Sequence, residues 1–460
     1  MQKSLAIKLG VITAIALLLL VPVFMVEDKI AERAMFERFA REEVARSWTG
    51  HQQLTTPVIV LPYRCRQALE KRAQQGFITD GTAAERTETQ YRLVAPESVR
   101  VTGTLSTEVR RKGIYRIPVY TAALSIAGKL HGDELESQRQ AIAGLPGFVE
   151  HGRPFVAVML SDARGIGELP TLSWAGGKLE FAPGSGVPGA ATGIHAELPV
   201  TTETGDLPFQ LDLRLKGMET LSFVPAGLDT QFQLRSHWPH PRFEGAFLPV
   251  EQDVNDDGFL AKWRVNQFSS DIVNKLLACG VGDCTRITAS AFGVSLIEPV
   301  DIYLQSERAT KYAILFIGLS FIAFFIFEVM RELRIHPVQY TLVGLSIAIF
   351  YLLLISLSEH LQFVTAYALA SMACVSLLLY YVKYLLGGWP GALLFASMLA
   401  VLYLVLYVII QAEDFALLGG SVLVFAVLAI TMIITRDIDW YAVGNSSMPS
   451  DAIAKPSDSG

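Results

Sequence analysis

Tyr312-Ala-Ile-Leu-Phe-Ile-Gly-Leu-Ser-Phe-Ile-Ala-Phe-Phe-Ile-Phe-Glu-Val-Met330 is apolar along almost its whole length. A helix of about 20 apolar residues crosses a hydrocarbon core of roughly 30 Å, so this stretch predicts a membrane span. The other segments of this kind are Leu5 to Val26, Val338 to Leu357, Phe363 to Val382, Trp389 to Ile410 and Phe415 to Thr435. We expect six spans, with a large insertion between the first and the second.

The first segment could instead be a cleaved signal peptide, because Lys3 and Lys8 form a basic region before an apolar stretch. Its apolar run is long, however, and the residues from Val21 to Asp28 contain no pair of small residues at cleavage spacing. We therefore interpret it as a membrane anchor.

The charges of the short loops predict the orientation of the spans, because Lys and Arg accumulate on the cytoplasmic side. With six spans, one side carries Lys3, Lys8, Arg331, Arg334, Lys383 and Arg436, and the other carries Glu359, Glu413 and Asp414. Both termini are then cytoplasmic and the large insertion is extracytoplasmic. Arg308 and Lys311 are basic on the opposite side, and we interpret them as interface anchors.

The charge balance argues against nucleic acid as a partner. The chain has 38 basic and 44 acidic residues, and 29 and 35 of these lie between Glu27 and Glu307, leaving 9 of each elsewhere. The excess of negative charge therefore belongs to the insertion. A weakly acidic surface does not attract a polyanion.

Short alternating stretches of apolar and polar residues, separated by Gly and Pro, fill the insertion from Thr55 to Tyr303. This pattern is typical of a largely antiparallel, sandwich-like β fold. The stretches are Pro57 to Leu61, Ser98 to Val109, Phe155 to Leu160, Lys178 to Phe181, Phe209 to Leu215, Thr230 to Ser236 and Ala289 to Ile297.

The predicted fold class is thus mixed, with a mainly antiparallel β domain and an α-helical transmembrane bundle of six spans. The predicted segments are a first transmembrane helix at 1–26, a juxtamembrane amphipathic helix at 27–50, the extracytoplasmic β domain at 51–307, a five-helix transmembrane region at 308–436 and a disordered tail at 437–460. Apolar residues and Glu–Arg pairs at helical spacing predict the amphipathic helix, as a continuation of the first span. Residues 69–90 are polar and predict an exposed hairpin tip or a mobile loop.

Four cysteines are present. Cys279 and Cys284 are the candidate disulfide, because they close a short loop in a compartment expected to be oxidising. Cys374 lies in the fourth predicted span and is expected to act as a small apolar residue.

Metal sites are weakly indicated. Asp253 to Gly258 resembles the first half of a calcium loop, but position twelve of that loop is Arg264, where a bidentate carboxylate is required. A turn between strands is the favoured alternative. His237 and His240 lie close together in sequence but lack a recognisable third ligand. We predict no cofactor and no metal.

The sequence gives no positive evidence for an enzyme. The Gly-rich turns near Ser161 and Pro183 are not followed by the helix start or the Gly-Lys-Ser/Thr of a phosphate loop, and no familiar catalytic signature occurs. A cell-wall hydrolase would need Asp162, His195 and His237 or His240 in one pocket, which their spacing does not predict.

The predicted spans carry little charge, which disfavours an ion-coupled carrier. Glu328 falls in the last turn of its span, and Glu359 and His360 follow the third span at the outer interface. We therefore expect the bundle to act as a packed anchor.

The chain resembles the CreD family of bacterial inner membrane proteins over nearly its whole length. The stretches that carry the resemblance are Ser161-Asp-Ala-Arg-Gly-Ile-Gly167, His237-Trp-Pro-His-Pro241, Phe243 to Pro249, Glu307 to Phe316, Phe324 to Glu328, His336-Pro337, Gln339-Tyr340, Val343-Gly-Leu-Ser346, Tyr351 to Leu354, Leu357-Ser-Glu-His360 and Thr435 to Tyr441. The resemblance implies an inner membrane location and a role in cell envelope integrity, and it supplies no catalytic residues.

These observations favour a non-enzymatic membrane protein whose extracytoplasmic domain binds or organises an envelope component, with membrane lipids and an envelope protein, lipid or peptidoglycan as partners. The alternative is a transporter or lipid-handling protein with that domain as a periplasmic funnel. The candidate junction between domain and bundle comprises Glu307, Arg308, Lys311, Glu359 and His360. We expect these groups to pair across the membrane surface, the alternative being that they are solvated interface anchors.

Overall fold

The fold comes from a computed structural model, which describes residues 2–68, 85–199, 205–297, 302–330, 335–386, 388–411 and 416–436. The chain divides into two compact units. The membrane unit comprises Met1–Glu37 and Val300–Gly460, and the β unit comprises Arg38–Pro299. The predicted tail at 437–460, most of the predicted polar tip, and the loop residues Arg331, Arg334, Glu413 and Asp414 lie outside the described residues.

Twelve α-helices occur among the described residues. They are α1 (Gln2–Leu18), α2 (Leu20–Ser47), α3 (Gly132–Ala143), α4 (Gln267–Ser270), α5 (Ile272–Gly280), α6 (Thr285–Thr288), α7 (Ile302–Lys311), α8 (Ala313–Met330), α9 (Pro337–Ser358), α10 (Phe363–Leu385), α11 (Trp389–Gln411) and α12 (Ala416–Thr435). Six helical segments are long and apolar enough to cross a membrane: α1 continued by α2, and α8 to α12. The six predicted spans are therefore confirmed.

The N-terminal helix is interrupted only at Leu19, between α1 and α2. Pro22 explains the interruption. In a regular helix its ring would clash with the carbonyl group four residues earlier, at Leu18, and proline has no N–H to donate to that carbonyl. The backbone N–H of Leu19 still donates to Ile15 at 2.9 Å, so the chain direction is kept. The buried side chains of this helix recur at helical spacing and define one packed face: Ile12, Leu19, Val23, Val26 and Ile30.

The β unit contains eighteen strands among the described residues. They are β1 (Gln52–Thr55), β2 (Val58–Ala68), β3 (Glu85–Val94), β4 (Ser98–Lys112), β5 (Tyr115–His131), β6 (Phe148–His151), β7 (Phe155–Met159), β8 (Thr171–Trp174), β9 (Gly177–Glu180), β10 (Ala182–Pro183), β11 (Gly193–Glu197), β12 (Asp206–Met218), β13 (Thr220–Val224), β14 (Asp229–Ser236), β15 (Pro241–Gly245), β16 (Glu251–Asn255), β17 (Gly258–Asn266) and β18 (Phe292–Leu296).

These strands form three sheets. The largest has eight strands in the order β16-β17-β14-β4-β5-β12-β8-β9, the second follows β10-β11-β7-β2-β3 with β6 beside β2, and the third is β1-β13-β18-β15. Two pairings are parallel, β1 with β13 and β4 with β14, and the other pairings are antiparallel. The mainly antiparallel fold predicted from the sequence is confirmed.

Alternation along the strands builds the core of the β unit. In β12 the residues from Leu207 to Leu215 are buried at every second position, which is the pattern of a sheet with one packed face. Side chains from all three sheets meet in one cluster, which includes Leu213 from the largest sheet, Ile59 from the second and Phe292 from the third. One contiguous core therefore holds the three sheets together.

Two local features differ from the sequence prediction. Helices α3 to α6 lie within the segment that the alternating pattern assigned to strands. Residues Glu85 to Gln90, predicted as part of a polar tip or loop, belong to β3 and pair with β2. Backbone pairing with β2 explains how such a polar stretch becomes a strand, since ladder hydrogen bonds do not require apolar side chains.

Candidate functional site

Glu328 is the centre of a buried polar cluster in the membrane unit. Its side chain is 3% exposed and forms an ion pair with Lys8 of α1. The same carboxylate accepts hydrogen bonds from the Ile335 backbone N–H at 2.9 Å and from the Tyr340 hydroxyl at 2.7 Å. An ion pair and two further donors are what a buried carboxylate requires.

Local sequence positions these partners. Glu328 lies in the last turn of α8, and α9 begins just after Ile335 with Pro337 in its first turn. His336 caps α9, because its side chain accepts from the Val338 N–H while Gln339 accepts from the His336 N–H. The start of α9 thus places Tyr340 and the Ile335 N–H against the end of α8.

A second ion pair joins the N-terminal helix to the end of α9. Arg33 Nε lies 3.2 Å from Glu359 Oε1, and the Glu359 side chain is 12% exposed. Lys8 and Arg33 are separated by 25 helical residues, or about 37 Å at the rise of an α-helix. This separation exceeds a hydrocarbon core of roughly 30 Å, so the two ion pairs have the spacing of opposite membrane interfaces.

Between these two ion pairs the N-terminal helix approaches α9 closely. A Cβ built on Gly344 would collide with the Leu19 side chain and with the ring of Phe321. Small residues permit such close approach between membrane helices. The N-terminal helix is therefore held by Lys8–Glu328, by Leu19 on Gly344, and by Arg33–Glu359.

Sequence reasoning missed Lys8 and Glu328 as a pair. The sequence did contain an indication of this pair. Lys8 and Glu328 are charged residues within their predicted spans, they have opposite charges, and both are predicted to lie near the cytoplasmic side of the membrane.

The residues of the predicted junction are distributed over two places. Lys311 Nζ lies 2.8 Å from Glu307 within α7, and Glu359 pairs with Arg33 rather than with that helix. The hydrogen bond to Glu307 raises the pKa of Lys311, and the carboxylate of Glu27 adds to the effect. Arg308 is half-buried and His360 is exposed. That these five residues hold the β domain to the bundle stays a prediction.

In the β unit, the turn from Ser161 to Gly167 binds the end of α2. Arg164 donates to both carboxylate oxygens of Asp162, the shortest contact being 2.6 Å. The same guanidinium donates to the carbonyl of Arg46 at 3.1 Å, one of the helix-end carbonyls that lack a helical partner. The Arg164 hydrogen bonds lower the pKa of Asp162. This Gly-containing turn caps a helix.

A disulfide joins Cys279, at the end of α5, to Cys284, just before α6. Cys65 and Cys374 are free and buried. The Cys374 thiol lies 3.4 Å from the Ser346 carbonyl, between α10 and α9.

The residues considered for a hydrolase have separate partners. Asp162 is held by Arg164, His195 Nδ1 lies 2.7 Å from the Gly184 carbonyl, and His237 Nδ1 lies 3.4 Å from that of Asp257. The calcium-like stretch forms the β16–β17 hairpin, with Asn255 paired to Gly258 across the turn.

One group in the described part of the chain has side chains close enough to share a cation: Glu97, His131 and Asp206. Lys129 already lies between the two carboxylates, with Nζ 2.9 Å from Glu97 and 3.6 Å from Asp206. The hydrogen bond to Glu97 raises the pKa of Lys129. A bound metal ion would have to displace this ammonium group, so we interpret the group as an ion-pair network.

A groove of about 330 Å³ lies between α10 and α11. Apolar side chains dominate it, and Tyr367 from α10 and Tyr403 and Tyr407 from α11 also line it. The Tyr367 hydroxyl donates to the Tyr403 carbonyl at 2.7 Å, and the buried Tyr403 hydroxyl lies against the Cys374 thiol.

Comparison with known proteins identifies the family. The family model described as inner membrane protein CreD matches residues 4–441. The inner membrane protein CreD of Escherichia coli (strain K12) is 35% identical over 427 residues, which cover 93% of this chain and 91% of that protein. With a match of this length and identity, the chain belongs to the CreD family of inner membrane proteins.

Proposed function

We propose that this protein is a non-enzymatic, multi-pass inner membrane protein that supports envelope integrity. Its β unit lies in the periplasm, both termini are cytoplasmic, and the β unit binds or organises an envelope component. The family gives the inner membrane setting, and the loop charges support the orientation.

The observation that carries the proposal is that the carboxylate of Glu328 is fully occupied by partners within the protein. A carboxylate serving a transport path needs access to water or to a substrate. Glu328 is instead buried and occupied by Lys8, Tyr340 and the Ile335 N–H. A charged group fully used inside the protein favours a bundle that anchors over one that conducts.

The second candidate, a lipid-handling protein, is favoured by the groove between α10 and α11. Its volume of about 330 Å³ is within the range of small-molecule sites, and its apolar walls suit a lipid chain.

Photo-crosslinking in living cells tests the first proposal. A photoreactive residue is placed at Leu169 or Val281, which are 94% and 84% exposed in the β unit, and at Val408 of α11 as the control. We expect crosslinks from the β-unit positions to one defined envelope protein or to peptidoglycan, and none of these products from Val408.

If the β-unit positions yield lipid adducts alone, the lipid-handling function replaces the one proposed. If they yield no product while the protein accumulates normally, the β unit has no envelope partner and the proposal is wrong.

A further inference from the structure

A polar cavity of about 460 Å³ opens on the β unit beside α5 and α6. Its walls combine two cationic side chains, one carboxylate, an amide, hydroxyl groups and one aromatic residue. The residues that matter are Phe247, Ser269, Asp271, Asn274, Lys275 and Arg286. Sequence reasoning assigned no role to any of them.

The disulfide fixes the two cations relative to each other. Lys275 lies on α5 and Arg286 on α6, and Cys279–Cys284 joins the two helices with its Cα atoms 4.1 Å apart. Lys275 Nζ lies 2.6 Å from the hydroxyl of Ser290, a residue that is 3% exposed. Ser290 is a neutral partner, and Lys275 makes no ion pair with the residues that the structure describes.

Arg286 is exposed and makes no ion pair with the residues that the structure describes. Asp283, three residues earlier, accepts hydrogen bonds from Thr285, interacts electrostatically with Arg286 and lies outside the lining of the cavity. The cavity therefore has two cations against the single carboxylate of Asp271. Such a locally positive site on an otherwise acidic domain attracts anions.

Asp271, in the wall of the cavity, has a left-handed backbone conformation. Its φ of 49° lies in the left-handed region, which is uncommon for residues other than glycine. It ends α4 and precedes α5 without capping α5 through its side chain. Its carboxylate accepts from Asn274 Nδ2 at 2.8 Å. Asp is one of the few residues other than glycine that adopt this conformation, and here it forms the C-cap of α4.

We propose that this cavity binds an acidic sugar. Lys275 and Arg286 would bind the anionic substituent through charge-assisted hydrogen bonds. Asp271, Asn274 and Ser269 would exchange hydrogen bonds with ring hydroxyl groups, and the apolar face of the sugar would lie against Phe247. The inference deepens the proposed function, because an acidic sugar is a component that a periplasmic domain could bind.

Calorimetry on the full-length protein in lipid nanodiscs tests the proposal. The probes are N-acetylmuramic acid, the neutral N-acetylglucosamine and inorganic phosphate. We expect the acidic sugar to bind at least about tenfold more tightly than either other probe, a difference of about 1.4 kcal/mol. Arg286→Gln should weaken binding of the acidic sugar about tenfold, and so should Lys275→Gln.

The matched control is Arg153→Gln, because Arg153 is an exposed arginine of the same unit that pairs with Glu197. It should leave binding unchanged. Reduction of the Cys279–Cys284 disulfide gives an independent readout. It should weaken binding of the acidic sugar more than binding of the neutral sugar. If the Arg286→Gln variant fails to accumulate, the proposal is tested by comparing the affinities of the unaltered protein for the three probes.

Equal affinity for both sugars, or no measurable binding of the acidic one, would overturn the proposal. Phosphate binding as tight as that of the acidic sugar would show an anion site without sugar recognition. If photo-crosslinks from the β unit to an envelope component persist in Arg286→Gln, the proposed function stands while this cavity is not its site.

Discussion

Glu328 and Lys8 form an ion pair that is much more buried on the carboxylate side, with exposed fractions of 3% and 31%. Removing Lys8 leaves the charge of Glu328 buried without its partner, in surroundings that solvate it poorly. We expect Lys8→Met to lower the free energy of unfolding by about 3 kcal/mol, as for other broken buried pairs. Thermal denaturation of the purified protein in detergent measures the loss.

The double variant Lys8→Met with Glu328→Leu separates pairing from packing. Replacing a buried pair by apolar residues is often neutral, so the double variant should recover most of the lost stability. Lys29→Met is the control, because Lys29 is exposed in the same helix and pairs with the exposed Glu32. A double variant as unstable as Lys8→Met would show that Glu328 has a role other than this ion pair.

Asp162 predicts a pH dependence. Its pKa is lowered by Arg164, so the pair contributes stability above the ordinary carboxyl pKa near 4, and the contribution is lost as the pH falls through the lowered pKa. Arg164→Gln should lower the stability only modestly at pH 7, because Arg164 is exposed and solvent screens its interaction with Asp162. The difference from the unaltered protein should shrink below about pH 4.

Unfolding curves from pH 7 to pH 3 check this prediction. Arg153→Gln serves as a comparison, because both partners of its ion pair are exposed. A stability difference for Arg164→Gln that stays constant across the range would assign the effect to the Arg46 carbonyl contact alone.

The sequence placed Glu328 and Glu359 correctly at the ends of their spans but did not reveal their partners. Lys8 is 320 positions from Glu328, and periodicity reports only on neighbours within a few turns. The rule that charged residues inside spans pair with one another supplies the missing step. The cavity beside α5 was not predicted, since its residues become neighbours only through the fold.

At the level of helices, Gly344 sets how closely α9 and the N-terminal helix approach. Gly344→Ala places a methyl group against Leu19 and Phe321, and overpacking of this kind costs about 1–3 kcal/mol. Adding Leu19→Ala should restore stability by making room. Gly318→Ala in α8 is the matched control, because a Cβ there meets no atom within 4 Å.

Thermal denaturation in detergent also measures this series. If Gly344→Ala and Gly318→Ala behave alike, the close approach at Leu19 does not contribute to stability.

Strands with strict alternation were the best predicted elements. Thr230 to Ser236 corresponds to β14 and Ser98 to Val109 to most of β4. The short helices were missed because their apolar residues are few and local. In α5 the buried positions Ile272, Leu276 and Cys279 follow helical spacing, but nine residues are too few for this period to stand out in the sequence.

The orientation of the whole molecule is testable with a reporter enzyme that is active only outside the cytoplasm. Fused near Gly205 in the β unit, it should be active, and fused after Arg436 it should be silent, because the loop charges predict these sides. Activity in the second fusion and silence in the first would reverse the orientation.

The parallel pairing of β1 with β13 constrains the order of folding. β1 follows directly after α2, yet Gln52 pairs with Leu221 and β13 in turn pairs with β18. A chain synthesised from its N-terminus therefore carries β1 without its neighbour until most of the β unit has emerged, and contacts so distant in sequence form slowly. This sheet can be completed only after Leu296, at the end of β18, has been synthesised, and α8 follows shortly afterwards. Folding of the β unit and membrane insertion of the second span therefore take place in the same period.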